Sequence, residues 1–303
     1  MPKLLITGAY GLLGTRLQTL LLERGYTLHT IGRGAAPASK PAAVQHFVWD
    51  IDKQQMDTTA LAGVDAILHL AGAGVADERW TAARKKEIYD SRIEATRLLH
   101  TTLSAIPHQV KTVVSASAVG IYGSCGNELI KEDQPAADTF LAHVVKDWEE
   151  AVQQIGNRGT RTVCCRIGIV LAANGGALPA LTRTIPIGVA GYFAVEPLFY
   201  PWIHIDDVCG ILIHAVENPT MQGAYNTTAP HPVPIHDLMK AILIAKKSKA
   251  ILAPVPPIAL RIAVGEMADM LLSSQRCSAT KILDAGYIFK YETIAQALKA
   301  VYN

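Results

Sequence analysis

The sequence lacks an excess of charge of one sign and lacks any long apolar run. Its 303 residues carry 28 Lys and Arg against 26 Asp and Glu, a formal net charge of +2. Without blocks of Lys or Arg, this balance gives no electrostatic footprint for nucleic acid. No apolar run approaches the roughly 18 residues that a membrane-spanning helix requires. We therefore expect neither nucleic acid nor a membrane as a partner.

Cysteine is also scarce and unpaired. The five cysteines show neither a CxxC spacing nor a framework of pairs, so free thiols in a reducing compartment are the simplest interpretation. No His, Cys and Asp cluster has metal-ligand spacing, and we predict no metal site. The first predicted strand begins at Lys3, which leaves no signal peptide before it. We predict a cytoplasmic protein.

The first half of the chain alternates short aliphatic runs with longer helical patterns. This alternation is typical of a parallel α/β sheet with right-handed crossovers. We predict an α/β fold with a Rossmann-type doubly wound parallel sheet and a smaller C-terminal subdomain. The predicted strands are 3–7, 27–31, 45–49, 64–72, 110–117 and 161–171, and the predicted helices are 11–25, 80–105 and 139–155.

The regular alternation ends near Leu171, and residues 172–202 are rich in Gly and Pro. Short helices are predicted at about 206–217, 234–243, 258–272 and 292–302. We therefore place a nucleotide-binding domain at 1–171, with part of 199–230 returning to its sheet. A smaller subdomain on the substrate side is placed at 172–303.

The segment LLITGAYGLLGTRL places Gly8, Gly11 and Gly14 between a strand and a helix. The first glycine permits a tight turn, the second lets the backbone approach a pyrophosphate, and the third lets the helix pack closely. The pyrophosphate then lies at a helix N-terminus, which favours an anion. A turn needed only for packing is the alternative. The other residues of this turn predicted to contact the cofactor are Tyr10, Leu12 and Leu13.

The end of the second strand carries Arg33 and no acid at positions 30–32. An acid there binds the ribose of NAD, whereas an arginine accommodates the 2′-phosphate of NADP. We predict NADP(H) as the cofactor, and an exposed loop arginine is the alternative. Asp50, after the third strand, stands where such folds place a residue beside the adenine ring.

Several further segments match one family from end to end. With the glycine turn, the chain resembles the extended short-chain dehydrogenase/reductase superfamily. More narrowly, it resembles the branch named epimerase family protein or nucleoside-diphosphate-sugar epimerase. The resemblance implies that Leu70 and Ala71 with the adjacent Gly72 line the cofactor, that Arg92 reaches its side of the sheet, and that Ser117 lies near the nicotinamide. The matching segments are HLAGAGVADERW, DSRIEATRLL, SASAVGIYG, KDWEEAV, PWIHIDDV and GEMADMLL.

Active members of the superfamily use a Ser, and a Tyr and a Lys spaced YxxxK on one helix. At spacing i, i+4 the two side chains share a face, and the ammonium lowers the pKa of the phenol. Here Lys146 is present, but Ala142 stands four residues before it, and alanine cannot transfer a proton. We assign Ser117, Tyr122 and Lys146 as the candidate catalytic set, with Tyr122 replacing the missing tyrosine.

Each substitute for the tyrosine has a structural alternative. Tyr122 follows the fifth strand and is either catalytic or a packing aromatic. His143 lies about 100° around the helix from Ala142. His204 is either catalytic or a hydrogen-bonded structural histidine beside Asp206, which we predict to be a helix N-cap. Two aromatic residues are either pocket walls or core: Trp80 and Trp202.

Three functions compete on this evidence. The first is an NADP-dependent oxidoreductase or epimerase acting on a small polar substrate, with a sugar nucleotide suggested by family analogy alone. The second is a sensor or scaffold that binds NADP(H) without catalysis, which Ala142 favours. The third is an association subunit, because the resemblance implies a homodimer formed by two long helices of each protomer, for which the helices near 80–105 and 139–155 are the candidates.

Overall fold

The structure is a computed structural model that describes residues 2–157, 159–195 and 197–302. Residues 1, 158, 196 and 303 fall inside the predicted domain bounds but lie outside the described residues. Among the helices described, none is both long and apolar enough to span a bilayer.

The elements are numbered in chain order. The strands are β1 (Lys3–Thr7), β2 (Thr27–Gly32), β3 (Val44–Asp50), β4 (Gln55–Met56), β5 (Ala66–His69), β6 (Thr112–Ala118), β7 (Leu129–Ile130), β8 (Arg161–Ile167), β9 (Ile169–Ala172), β10 (Gly175–Gly176), β11 (Val189–Phe193), β12 (Phe199–Tyr200), β13 (Trp202–His204), β14 (Gly223–Thr227), β15 (Val233–Pro234), β16 (Ile251–Val255) and β17 (Arg276–Cys277). The helices are α1 (Leu12–Glu23), α2 (Ala82–Ala105), α3 (Phe140–Gly156), α4 (Leu178–Leu181), α5 (Ile205–Glu217), α6 (Ile235–Ala245), α7 (Pro257–Val264), α8 (Met267–Leu271), α9 (Thr280–Asp284) and α10 (Ile294–Tyr302). Short 3-10 turns cover Thr58–Leu61, Val119–Tyr122 and Ile185–Ile187.

A large sheet organises the first half of the chain. In the part that the structure describes, it has eight strands in the order β14-β8-β6-β5-β1-β2-β3-β4. Its ladders are parallel except between β3 and the short β4. The strand order reverses between β1 and β5, and ligands of such sheets bind beyond the carboxyl ends of the strands at that point. The predicted α/β Rossmann-type fold is confirmed.

Residues of β1 alternate between the two faces of this sheet. Leu4 and Ile6 belong to a core that α1 and α5 cover, whereas Leu5 belongs to a core that α2 covers. The three side chains are fully buried. A strand buried on both faces reads as a continuous apolar run, which is why KLLIT was recognisable as a central strand.

Two predicted elements are broken by a glycine. The strand predicted at 161–171 divides at Gly168 into β8 and β9, and β9 leaves the large sheet to pair with β13. A Cβ at Gly168 would lie 2.0 Å from the carbonyl oxygen of Pro201, so the segment at Pro201 passes so close that only glycine fits. The helix predicted at 258–272 divides at Gly265, whose φ of +64° ends α7.

The second half builds a separate apolar core. This core includes Trp202 of β13, Ile242 of α6 and Leu298 of α10, all of which are buried. One strand of this half, β14, lies at the edge of the large sheet beside β8. It falls within 199–230, the range expected to return to the sheet.

A buried polar chain ties β1, β5 and α2 together. Thr96 Oγ1 donates to the carbonyl of Arg92 at 2.7 Å and therefore accepts from His69 Nε2 at 2.9 Å. With the proton on Nε2, His69 Nδ1 accepts from Thr7 Oγ1 at 2.8 Å. Burial lowers the pKa of His69 from 6.5 to about 4, so the imidazole stays neutral near pH 7.

This histidine makes stability depend on pH. Between pH 6.5 and about 4 the unfolded chain protonates His69 while the folded chain does not. Stability is therefore lost as the pH falls through this window, by about 3 kcal/mol in total. We expect His69→Gln to be less stable at pH 7 and to lose less stability between pH 7 and 4 than the natural chain.

Urea unfolding across this pH range measures the effect. The difference in free energy of unfolding between the two proteins at each pH gives the contribution of His69 alone, because the other titrating groups, including His204, are the same in both. Parallel stability profiles for the two proteins would show that His69 contributes nothing to the pH dependence.

Candidate functional site

The glycine turn brings three pieces of backbone close together. Gly8 has a φ of +64°, and a Cβ there would lie 2.6 Å from the carbonyl oxygen of Leu70. A Cβ at Gly14 would lie 2.5 Å from the carbonyl oxygen of Gly8. Real Cβ atoms do not approach so closely, so both glycines are required by the protein's own packing.

Gly11 differs from the other two. It is exposed, its φ of −75° suits any residue, and a Cβ there would meet only the Gly8 carbonyl oxygen at 3.4 Å. The fold therefore tolerates a side chain at this position much better than at Gly8 or Gly14. A glycine that packing does not require fits a close approach by something outside the chain.

The N-terminus of α1 has unused hydrogen-bond donors. Gly11 is the N-cap and supplies no side chain, and the first turn holds no acidic residue. In the described chain, the N–H groups of Leu12, Leu13 and Gly14 have no acceptor. These donors and the helix dipole form a site suited to an anion such as a pyrophosphate.

The loop after β2 carries Arg33. This residue is exposed, and none of the hydrogen bonds or ion pairs among the described residues involves it. Asp50, at the end of β3, pairs with Lys53 at 3.1 Å, and hydrogen bonds from Lys53 lower its pKa. Tyr10 extends from the glycine turn toward β2, where its hydroxyl contacts Thr30 Oγ1 at 3.1 Å.

The turn after β5 lies next to the glycine turn. The N–H groups of Leu70 and Ala71 donate to Thr7 Oγ1 at 3.0 and 3.1 Å. Gly72 is exposed, and a Cβ there would lie 3.1 Å from Cζ of Arg92. The structure therefore gathers these predicted cofactor residues beside Gly8.

Among the residues that the structure describes, no carboxylate pairs with the Arg92 guanidinium. Its Nη1 donates to the Ile88 carbonyl at 2.8 Å, and its guanidinium lies 5.2 Å from the centroid of the Trp148 ring. Burial, with repulsion from Arg84, lowers its pKa to about 10. A desolvated guanidinium that keeps free N–H donors favours an anionic ligand.

The candidate catalytic residues Ser117 and Tyr122 lie in a buried network around Arg166. The Arg166 guanidinium donates to both carboxylate oxygens of Glu149, at 2.9 and 2.8 Å. Ser117 Oγ donates to the same carboxylate at 2.5 Å, and Arg166 Nη1 donates to the Tyr122 hydroxyl at 2.8 Å. All four side chains are buried.

The Tyr122 hydroxyl has a partner on each side. It donates to Asn226 Oδ1 at 2.6 Å, and Asn226 Nδ2 donates to the carbonyls of Ile130 and Ser278. Burial raises the pKa of Tyr122 far above its usual value of 10, despite the nearby Arg166. The network joins β6, β8 and β14 to the segment around Ser278, and this geometry favours the structural alternative for Tyr122.

Lys146 does not join this network. It is exposed on α3, and its ammonium lies 3.9 Å from a Glu150 carboxylate oxygen. Ala142 is fully buried. The assignment of Ser117, Tyr122 and Lys146 as catalytic thus stays a prediction, and the structure does not bring the three together.

The face of α3 beside the 3-10 turn after β6 is apolar. A Cβ at Gly120, in that turn, would lie 3.5 Å from Cβ of Leu141. Val145, four residues after Leu141, packs with Val119 and Tyr122. Leu141 and Val145 have the i, i+4 spacing of a Tyr–Lys pair. They stand one residue earlier than Ala142 and Lys146, the positions predicted from the sequence. Neither pair of positions contains a tyrosine.

The contacts of His204 favour its structural alternative. It caps α5, and its Nδ1 accepts from the Asp206 N–H at 3.1 Å. Burial lowers its pKa to about 4, and its ring lies 4.1 Å from that of Tyr291. The prediction that Asp206 is the N-cap is wrong: its carboxylate instead accepts from Arg16 at 2.7 Å and Lys290 at 3.0 Å.

Other candidates also have structural partners. His143 is exposed and pairs with Asp138 at 3.0 Å. Trp202 is fully buried in the second core, whereas Trp80 is half-buried and packs edge-on against Phe140. Within the part of the chain that is described, no three His, Cys, Asp or Glu side chains gather as a metal site needs.

Three features of this region were not predicted from the sequence: the Glu149–Arg166 pair, His69 and His46. Arg166 stands inside the apolar run TVCCRIGIVL, and a charged residue in a buried strand requires a buried partner. His69 likewise interrupts AILHLAG. These interruptions were the available signal, but the sequence does not say which residue is the partner.

The chain is similar to known proteins over almost its whole length. Residues 4–227 match the model of the NAD dependent epimerase/dehydratase family, and residues 255–301 match a domain of unknown function (DUF1731). Epimerase family protein Mb2239 of Mycobacterium bovis is 33% identical over 298 residues, which is 97% of this chain and 95% of that protein. The chloroplastic epimerase family protein SDR39U1 homolog of Arabidopsis thaliana is 29% identical and matches 98% of this chain and 85% of its own length.

A solved structure is also similar. The crystal structure of human epimerase family protein SDR39U1 (isoform 2) with NADPH has a TM-score of 0.88 and 29% identity, covering 99% of each chain. The family resemblance read from the sequence is confirmed.

The role of Tyr122 can be tested by removing its hydroxyl. We expect Tyr122→Phe to lower the free energy of unfolding by about 1–3 kcal/mol, because the Asn226 oxygen loses its donor in a buried site. Tyr26→Phe is the matched control, since its hydroxyl donates to Glu217 at the surface, and it should cost less than about 1 kcal/mol. Urea unfolding at pH 7 compares the two variants. A Tyr122→Phe protein as stable as the natural chain would contradict the structural role.

Proposed function

Because the chain belongs to the NAD dependent epimerase/dehydratase family, we propose that it binds NADP(H) across the carboxyl ends of β1, β2 and β5. The main support is a set of hydrogen-bond donors that have no carboxylate partner among the described residues: the first N–H groups of α1 and the guanidinium groups of Arg33 and Arg92. Each points to an anion, and the described residues offer none of them a carboxylate. The human relative crystallised with NADPH supports the same cofactor.

The residues present fit the parts of this cofactor. The α1 N-terminus and Gly11 would hold the pyrophosphate, with Tyr10, Leu12 and Leu13 beside it. Arg33 would bind the 2′-phosphate, which selects NADP(H) over NAD(H), and Asp50 would flank the adenine. The remaining predicted cofactor residues would line the nicotinamide half: Leu70, Ala71, Gly72 and Arg92.

When bound, NADP(H) supplies or accepts a hydride at C4 of its nicotinamide. This chain's own residues would contribute binding and orientation, and the contacts of the three candidate catalytic residues do not favour proton transfer by any of them. Ser117 and Tyr122 are engaged with Glu149, Arg166 and Asn226. We therefore favour a member of the family that binds NADP(H) and does not use a Tyr–Lys pair.

An oxidoreductase or epimerase acting on a small polar substrate is the second candidate, and the end-to-end match to the family favours it. A sugar nucleotide remains a family analogy. Two arginines of the second half already have partners: Arg261 pairs with Asp269 at 2.9 Å, and Arg276 lies over the Phe199 ring. NADPH oxidation with a panel of carbonyl compounds and UDP-sugars distinguishes the two candidates. Turnover that persists in Tyr122→Phe would show that the proton comes from another group.

Three broader predictions accompany this function. The division at residue 171 into a nucleotide-binding domain and a substrate-side subdomain stays a prediction, and Val208, Tyr225 and Phe289 of the second half pack in the same core as β1. A homodimer through α2 and α3 and a cytoplasmic location stay predictions. Neither nucleic acid nor a membrane is proposed as a partner.

Gly11→Ala separates cofactor binding from stability. Its Cβ would enter the space proposed for the pyrophosphate, so we expect the dissociation constant for NADPH to rise at least about tenfold. The free energy of unfolding should change by less than about 1 kcal/mol, since the backbone angles are allowed and no contact is shorter than 3.4 Å. Gly14→Ala, by contrast, should destabilise the fold by more than about 1 kcal/mol.

NADPH fluorescence titration and urea unfolding give the two quantities. A Gly11→Ala protein that binds NADPH with natural affinity would place the pyrophosphate elsewhere.

Arg33→Ala tests the choice between cofactors. Loss of a charged hydrogen bond to the 2′-phosphate should weaken NADPH binding by about tenfold to a hundredfold. NADH lacks this phosphate, so its affinity should change by less than about twofold. Equal weakening for both cofactors in the titration would assign Arg33 another role.

A further inference from the structure

The loop that carries Arg33 has few attachments to the sheet. Residues 33–35 are exposed, and the loop continues to Val44, where β3 begins. Among the described residues, the hydrogen bond that joins 33–36 to the sheet is the one from His46 Nε2 to the carbonyl of Gly34, at 2.8 Å. This bond holds the residue directly after Arg33.

The other side of the His46 ring is held as well. A carbonyl only accepts, so the bond to Gly34 requires the proton on Nε2. In the neutral ring Nδ1 is then an acceptor, and it lies 2.9 Å from Thr30 Oγ1 and 3.2 Å from the Tyr10 hydroxyl. The two hydroxyls are themselves 3.1 Å apart. His46 is thus fixed between β2 and the Arg33 loop.

Packing around this ring leaves it little freedom. A Cβ at Gly32 would lie 3.4 Å from Cε1 of His46, so the ring lies against the last residue of β2. The Tyr10 ring approaches from the glycine turn, with its centroid 5.4 Å from that of His46. The imidazole therefore contacts the glycine turn, the end of β2 and the start of the Arg33 loop together.

We propose that His46 is a positioning residue that holds the Arg33 loop against β2 and thereby sets the preference for a 2′-phosphate over a 2′-hydroxyl. The proposal rests on the proposed NADP(H) function. His46 acts through Arg33 and does not itself contact the cofactor. It should therefore matter for NADPH and not for NADH, and only while Arg33 is present.

The test is a double-mutant cycle with two ligands. Dissociation constants for NADPH and NADH are measured by fluorescence titration for the natural chain, His46→Leu, Arg33→Ala and the double variant. His46→Leu should weaken NADPH binding by about fivefold to tenfold and NADH binding by less than about twofold. In the Arg33→Ala background the same change should alter the NADPH constant by less than about twofold.

His46→Gln provides the conservative comparison, because its side-chain amide still donates toward the Gly34 carbonyl. It should recover at least half of the lost NADPH preference. Thermal unfolding of every variant shows that the comparison is made on folded protein.

Three outcomes overturn the proposal, and they can be told apart. His46 would be a structural residue if the two substitutions raised the dissociation constant for NADPH independently of each other, so that their effects multiplied in the double variant. The same conclusion would follow if His46→Leu weakened NADPH and NADH binding equally. In both cases NADP(H) binding itself would stand. A natural chain that binds neither cofactor would overturn the proposed function, and the positioning role with it.

Discussion

The close approach of the backbone at the ends of β1 and β5 is the contact on which the candidate site depends. Gly8 leaves β1 with a positive φ beside the carbonyl oxygen of Leu70. One residue earlier, Thr7 Oγ1 accepts from two N–H groups of the β5 turn and donates to His69. This arrangement fixes the turn after β5 against the glycine turn. The glycine turn in turn positions the start of α1, and the turn after β5 positions the Arg92 side chain.

The arginines divide according to their partners. Arg166 has a bidentate carboxylate and is part of the framework, since removing either partner would leave a buried charge uncompensated. Among the described residues, no carboxylate pairs with Arg33 or Arg92. Arg33 follows the carboxyl end of β2, and Arg92 lies against Gly72 after the carboxyl end of β5. Cations without a carboxylate partner are the ones available to an anionic ligand. The same distinction separates Tyr122, which is engaged on both sides, from an acid or base ready for catalysis.

Much of the fold could be predicted because the signals are local. Apolar runs identify the central strands, and the glycine spacing identifies the turn that begins α1. The break at Gly168 could not be predicted, because the carbonyl that requires it belongs to Pro201, far along the chain. The cap of α5 was misplaced for a related reason, since an aspartate is the commoner N-cap and the His204 ring performs that role here.

Candidate site residues could be named where residue type and spacing alone carry the chemistry. Gly11 and Arg33 were chosen in this way, whereas Arg92 was named from the family resemblance. Tyr122 could not be judged, because its role depends on Asn226 and Arg166, which only the folded sheet brings to it. His46 was missed for the same reason, as its contacts come from three separate segments.

The central claim is that this chain holds NADP(H), and the most direct measurement is of what it carries. Protein purified under native conditions is denatured, and the released small molecules are identified by mass spectrometry. The account predicts NADP(H), or, for protein that has lost its cofactor, binding of added NADPH in preference to NADH. Release of NAD(H) alone would contradict the role given to Arg33. An empty protein that also fails to bind added NADPH would contradict the account as a whole.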